Sequence, residues 1–325
     1  MRPHRDHTSR QRLWTTLENP TTPLVSRKRN WTLSLDHPRT SASHSKLLKI
    51  VVMNDLHLVA PGTRRPNMDT TARFAVALRS AAARHGDADL CVFAGDIADQ
   101  AEPEAYRLFD SLRRALLIPQ CVTLGNHDDR NVYLTYAENF ETDPNGYVQC
   151  RRDIKGHCVL VLDSSEPGHE RGGFPAPKLA WVAEQLANAR RSGLKVIVIL
   201  HHNPAALQMP VDTYRLSAPS DLLAVLKQSG ADILQVIAGH CHISSAGSWG
   251  GLPCATLAGN HHRVEPFLRG RTGRQQCYEG PAHYGVVVSN GSDCAVHFEA
   301  YVGEADPMDG TLFPRKVDQA FEEVG

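Results

Sequence analysis

The segment Gly239-His240-Cys241-His242 sets three metal-binding side chains in a row, and four other short segments carry residues of the same kind. They are Asp55-Leu56-His57, Gly95-Asp96, Gly125-Asn126-His127-Asp128 and His201-His202. A donor set of imidazole, carboxylate and amide lacks the thiolates that usually mark a structural zinc site. It suits Mn, Fe, Zn or Co, and Asp55, His57, Asp96, Asn126, His201, His240 and His242 are too many for one tetrahedral ion. Two divalent ions outweigh the negative charge of Asp55 and Asp96, so such a centre stays cationic and attracts a phosphate. In an extended chain alternate side chains share a direction. Asp55 can then face the same way as His57, and His240 the same way as His242, while Cys241 points into the core.

Something must bring these dispersed segments together, and the runs before them supply it. Apolar strands are expected over 47–58, 88–99, 120–129, 156–165, 194–204 and 232–242, and all but 156–165 end in polar residues of the ligand type. Helical spacing appears over 70–86, 103–117, 176–191 and 219–229, with Pro103 tolerated in a first turn. Strands alternating with helices predict an α/β core of buried, largely parallel strands, whose carboxyl ends share one rim. The tail differs. Strands are expected over 252–259 and 284–302, with Ser289-Asn290-Gly291-Ser292-Asp293 as a hairpin turn. Between them, 260–283 is rich in Gly, Arg and His and reads as an excursion that carries specificity. Its His261, His262 and Arg263 are candidates for substrate contact, since guanidinium groups pair with phosphate; a solvated basic loop is the alternative.

The bulk properties exclude several classes. Lys+Arg and Asp+Glu are equal at 35 each in a chain of 325 residues, which argues against a nuclease and any strongly charged surface partner. No apolar run approaches the roughly 18 residues of a membrane-spanning helix. The first 46 residues are polar and basic, contain no apolar signal segment, and read as a disordered or loosely attached leader. A cytoplasmic location is the expectation. The eight cysteines are scattered without a C-x-x-C pair and read as buried thiols. Ser164-Ser165 lacks a G-x-S-x-G setting and reads as strand-end capping.

Taken in order, D-x-H (55–57), G-D (95–96), G-N-H-D (125–128), H (201) and G-H-x-H (239–242) resemble the calcineurin-like metallophosphoesterase superfamily. The pattern is most similar to class III cyclic nucleotide and glycerophosphodiester phosphodiesterases, and it covers roughly 47–302. The resemblance implies a four-layer α/β/β/α sandwich of two mixed sheets over 47–303, with 304–325 as a tail. It implies that Asp55, His57 and His242 hold one ion, that Asn126, His201 and His240 hold the other, and that Asp96 bridges them. His127 would stabilise the phosphate or protonate the departing oxygen, with Asp128 orienting its imidazole; His202 would face the other way from His201. The implied activity is two-metal hydrolysis of a small phosphodiester; phosphomonoester or other cyclic-phosphate hydrolysis, and an inactive metal-bound scaffold, are the alternatives. Met53-Asn54 departs from the small residue and Ser often found there, and Cys241 from Thr, Ile or Val. The closing hairpin leaves a sheet edge, so a homodimer and a monomer both stay open.

Overall fold

The computed structural model describes residues 47–63 and 68–303. The expected leader over 1–46 and tail over 304–325 lie outside these residues. In chain order the first half contains β1 (Leu48–Met53), α1 (Thr70–His85), β2 (Leu90–Ala94), α2 (Pro103–Arg113), β3 (Gln120–Thr123), α3 (Arg130–Tyr136), β4 (Cys150–Ile154) and β5 (His157–Leu162). Then come α4 (Ala176–Arg191), β6 (Lys195–Leu200), α5 (Pro219–Gln228), β7 (Asp232–Ala238), β8 (Ser245–Trp249) and β9 (Leu252–Thr256). The short strands β10 (Arg263–Val264) and β11 (Cys277–Tyr278) precede the hairpin β12 (Ala282–Ser289) and β13 (Cys294–Val302). No helix among the described residues is long and apolar enough to cross a membrane.

The strands form two mixed sheets. One has the order β13-β12-β1-β2-β3, parallel from β1 to β3 and antiparallel through the hairpin. The other has the order β4-β5-β6-β7-β9-β8, with β5, β6, β7 and β9 parallel and antiparallel strands at both edges. Side-chain alternation explains the layering. Leu48, Ile50 and Val52 of β1 and Leu90 and Val92 of β2 pack against Val159 and Val161 of β5 and Ile197 and Ile199 of β6 across the sheet interface. The intervening residues face outward: Val51, Met53 and Phe93 meet Phe74, Tyr106, Phe109 and Tyr133 of the first three helices. Leu160, Val198 and Val236 meet Val182, Leu186, Leu222 and Leu226 of α4 and α5. Strands apolar on both faces are what this arrangement requires, and the result is the expected α/β/β/α sandwich.

Several boundaries differ from expectation. The second helix stops at Arg113 and not at 117; Leu117 is 94 % exposed, so no burial rewards another turn. The strands end before their polar residues, because the backbone turns away there. β4, with its three charged residues, and β8, with Ser and Gly, escape a search for apolar runs because each is an edge strand covered on one side.

Candidate metal centre

All five polar segments lie at one rim of the sandwich, just past the ends of β1, β2, β3, β6 and β7. Their backbone is not extended. Asp55, His57, Asp96, His240 and His242 all have positive φ, between 46° and 70°, a region costly for residues other than glycine. The alternation argument therefore gives the correct shared direction for the wrong reason: left-handed residues at every second position, and not a pleat, point these side chains inward. Tertiary bonds hold the strain. Asp55 N–H donates to Gly95 O at 3.1 Å, and His57 N–H to Asp96 O at 2.9 Å. The motif glycines clear space for the donors: a Cβ on Gly95 would lie 2.5 Å from His201 Nδ1, and one on Gly239 would lie 2.6 Å from Asn54 Nδ2.

Asp96 occupies the centre. Its Oδ2 lies 3.5 Å from His57 Nε2 and 3.3 Å from His201 Nε2, while Oδ1 accepts the His127 backbone N–H at 2.9 Å. Burial raises its pKa, but the neighbouring His201 and His57 outweigh burial and hold the carboxyl well below its usual range. Asp55 accepts the His240 backbone N–H at 3.1 Å and a bond from Asn54, and its Oδ1 is 3.4 Å from His242 Nε2. Burial, reinforced by Asp96, pushes Asp55 up to about 7 despite His201. His201 Nε2 lies 3.3 Å from Asn126 Oδ1. All seven expected donors therefore converge.

The imidazoles are aimed by their far nitrogens. Nδ1 of His57 meets Asp99 Oδ1 at 3.3 Å, Nδ1 of His201 meets Ala94 O at 3.0 Å and Nδ1 of His242 meets His262 O at 3.0 Å. In each case Nε2 is left for the centre, the orientation that metal-binding histidines need. Nε2 of His57 and of His240 are buried without a hydrogen-bond partner. Burial also lowers His240 to about 3 and His242 to about 4, so both rings are neutral and carry a free lone pair. Buried carboxylates beside orphaned neutral imidazoles fit a metal centre, since cations would satisfy both. Ligand atoms of Asp55, Asp96 and His201, and those of His57, Asp96 and His127, group within 4.8 Å.

Two expectations need correction. Asp128 does not orient His127. Its oxygens accept N–H bonds from Ile97 at 3.1 Å, Ala98 at 3.0 Å and Gly125 at 2.9 Å, plus the Tyr106 hydroxyl at 3.2 Å, so it staples the loop after β2 to the loop after β3. The His127 Nδ1 is instead 2.7 Å from Asp99 O. Nor does His202 face away: its ring centroid is 4.7 Å from that of His240, and Ser164 Oγ lies 2.8 Å from its Nδ1. Neither residue is in a regular strand, so the alternation that separates neighbours does not apply. Ser165 does cap, giving its N–H and hydroxyl to Asp163. Cys241 Sγ turns to Gly239 O at 3.3 Å and packs with Met209 and Ile243, away from the imidazoles.

The expected substrate residues divide. His261 lies 4.4 Å from the His57 ring, and His262 stacks on His242 at 4.2 Å. Both line a cleft of about 390 Å³ with His57 and His127. Arg263 begins β10 and is exposed; its neighbour Val264, and not Arg263, lines the adjoining cleft of about 450 Å³. That cleft also takes in Glu170, Tyr214 and Gln275, which sequence reading missed because irregular loops carry them with no periodicity to mark them. Asp99 was missed too, although it lies only three residues past Asp96.

Fold and rim chemistry together define a class of two-metal phosphoesterases. Among solved structures the fold is similar to a purple acid phosphatase of Lupinus luteus (TM-score 0.56, 12 % identity, 81 % of this chain and 53 % of that one). It is also similar to a dimetal phosphatase of Danio rerio (TM-score 0.52, 16 % identity, 77 % and 98 %). The model of the calcineurin-like phosphoesterase family matches residues 48–244, and the chain belongs to that family. A "Probable cyclic nucleotide phosphodiesterase" of Rhodococcus erythropolis is 29 % identical over 83 % of this chain and 90 % of its own length. A cAMP/cGMP dual specificity phosphodiesterase of Mycobacterium tuberculosis is 34 % identical over 58 % of this chain and 61 % of its own. A "Probable glycerophosphodiester phosphodiesterase" of Arcobacter nitrofigilis is 30 % identical over 56 % and 66 %.

Proposed function

We propose that this chain hydrolyses small-molecule phosphodiesters, with cyclic nucleotides and glycerophosphodiesters as the candidate substrates. The observation that carries the reading is Asp96, one carboxylate oxygen within 3.5 Å of imidazoles from two separate loops. Asp55, His57 and His242 would hold one ion, Asn126, His201 and His240 the other, and Asp96 would bridge. When bound, such a pair supplies a hydroxide nucleophile at neutral pH and neutralises charge on the phosphoryl oxygens. Mn, Fe, Zn and Co all suit these donors.

The protein's own residues do the rest. Asp99 O fixes His127 through Nδ1 at 2.7 Å, which leaves its Nε2 to meet the phosphoryl or departing oxygen from the exposed side. Asp128 keeps the Asp96 and Asn126 loops in register by its three bonds from backbone N–H groups. Asp99 serves two imidazoles, His57 through its carboxylate and His127 through its carbonyl. The names of the relatives favour a diester, and the balanced charge of the chain favours a small substrate over nucleic acid.

The test is turnover of a chromogenic phosphodiester beside the matching monoester after manganese reconstitution, with Asp96→Asn as control. The expected result is faster cleavage of the diester and activity reduced to background in the variant. Preference for the monoester, or full activity in Asp96→Asn, overturns the reading.

A further inference from the structure

We infer that Arg73, on α1, is a positioning residue for the metal centre: it clasps both arms of the 260–283 excursion and so sets the His261–His262 pair and, through it, the imidazole of His242. The inference rests on the two-metal reading of the rim. It concerns a helix that supplies none of the seven donors.

The excursion leaves the rim as one arm and returns as another, and the pairing of β10 with β11 ties the arms to each other. Arg73 ties them to the body of the domain. Its Nη1 donates to Glu279 O on the returning arm at 2.6 Å, and its Nη2 donates to His261 O on the outgoing arm at 3.1 Å. The residue is only 6 % exposed, and its Nε is buried without a hydrogen-bond partner. A buried cation needs strong acceptors, and the two Nη groups find theirs in backbone carbonyls of the excursion. The planar guanidinium fork presents its donors at a fixed spacing and can span the two arms, where a lysine ammonium is a compact point charge. Asn260 pins the start of the outgoing arm, since its Nδ2 donates to Leu56 O at 3.1 Å and to Thr70 O at 3.0 Å. Arg73 holds the residue that follows.

That arm reaches the donors directly. The His261 ring centroid is 4.4 Å from that of His57, and the Nδ1 atoms of His261 and His262 are 2.8 Å apart. The carbonyl of His262 meets His242 Nδ1 at 3.0 Å, so the excursion's backbone aims a candidate metal ligand. Loss of a group that orients a metal-binding imidazole typically costs about 10–100-fold in metal affinity. His57 and His242, the donors against the arm, are both assigned to the same ion. Releasing the arm should therefore weaken that ion and spare the other.

The test is Mn(II) binding to the metal-free protein by equilibrium dialysis, with the parent beside Arg73→Met and Arg73→Lys. Each variant is expected to bind one of the two ions about tenfold or more weakly and the other within about threefold of the parent. Arg79→Met, at an exposed position of the same helix, leaves both affinities unchanged. Both affinities kept, or both weakened alike, overturns the inference; if Arg73→Met does not fold, Arg73→Lys decides. A second readout needs no metal. Arg269, Arg271 and Arg274 are exposed in the excursion, and tryptic cleavage after them, followed by mass spectrometry of the metal-free proteins, is expected to be faster in both Arg73 variants than in the parent. If the parent binds no ion, the two-metal reading fails and cleavage decides the clasp alone; equal rates in parent and variants overturn it.

Discussion

Gly125 gives the sharpest test of how tightly the centre is packed. A Cβ at this position would lie 2.1 Å from Asp96 Oδ1, 2.5 Å from Asp96 N and 2.7 Å from His201 Nε2, where real Cβ contacts essentially never fall under 3.0 Å. Backbone and side chain of Asp96 are both in the way, so the Asp96 carboxylate must retreat by about 0.9 Å, the gap between 3.0 and 2.1 Å. A misplacement of about 1 Å at a reacting centre costs on the order of 100-fold in rate. The stability cost is that of overpacking, about 1–3 kcal/mol, or roughly 2–12 °C in Tm for a domain of this size. The expected result for Gly125→Ala is therefore a folded protein with at least one ion lost and kcat/KM down about 100-fold. Bound metal by elemental analysis, kcat/KM and Tm are measured together. Gly247→Ala is the matched control, since it sits in β8 with nothing within 4 Å of its added methyl. It is expected to shift stability by no more than about 0.5 kcal/mol. If Gly125→Ala keeps both ions and activity within about threefold of the parent, the proposed bridging role of Asp96 is refuted.

Two further predictions follow from the wider packing. Cys241→Val is expected to keep both ions and full activity, with stability changed by less than about 1.5 kcal/mol; loss of one ion on elemental analysis shows the thiol to be a ligand. Glu299 accepts from Arg84 at 3.0 Å, His85 at 2.9 Å and Tyr284 at 2.8 Å; burial opposes its ionisation, but these bonds win and lower its pKa below the ordinary 4.5. A depressed carboxylate stabilises the fold above its unfolded pKa and loses that contribution as pH falls through the folded value. Glu299→Gln should therefore lower the urea midpoint at pH 7 by the equivalent of about 1 kcal/mol or less, with the deficit shrinking towards pH 4. A deficit independent of pH contradicts the assignment.

The sandwich, and the placing of the seven candidate donors at one rim, were legible because both depend on patterns local in sequence. Runs such as Ile50-Val51-Val52-Met53 announce a doubly buried strand, and the ligand-type residues that follow most of these runs announce the rim. What was not legible depends on contacts made after folding. The left-handed backbone at Asp55 and Asp96 is imposed by bonds between neighbouring strand ends. The choice of Asp128 to hold Ile97, Ala98 and Gly125 is fixed by backbone N–H groups on two separate loops with no sequence signature. Tyr214 and Glu170 reach the cleft through loops whose course no periodicity encodes.

The two sheets each deliver part of the centre: Asp55, His57, Asp96 and Asn126 from the five-stranded sheet, His201, His240 and His242 from the six-stranded one. The gap between the two sets of candidate donors is therefore calibrated by residues that touch neither set, such as Ile50, Val92, Val161 and Ile199 in the layer between the sheets. Interiors of native density transmit a changed methyl group as a shift and do not absorb it. In this fold the buried interlayer is a spacer that tunes chemistry at a distance, and drift in its side-chain volumes alters catalysis in a chain whose active residues are all intact.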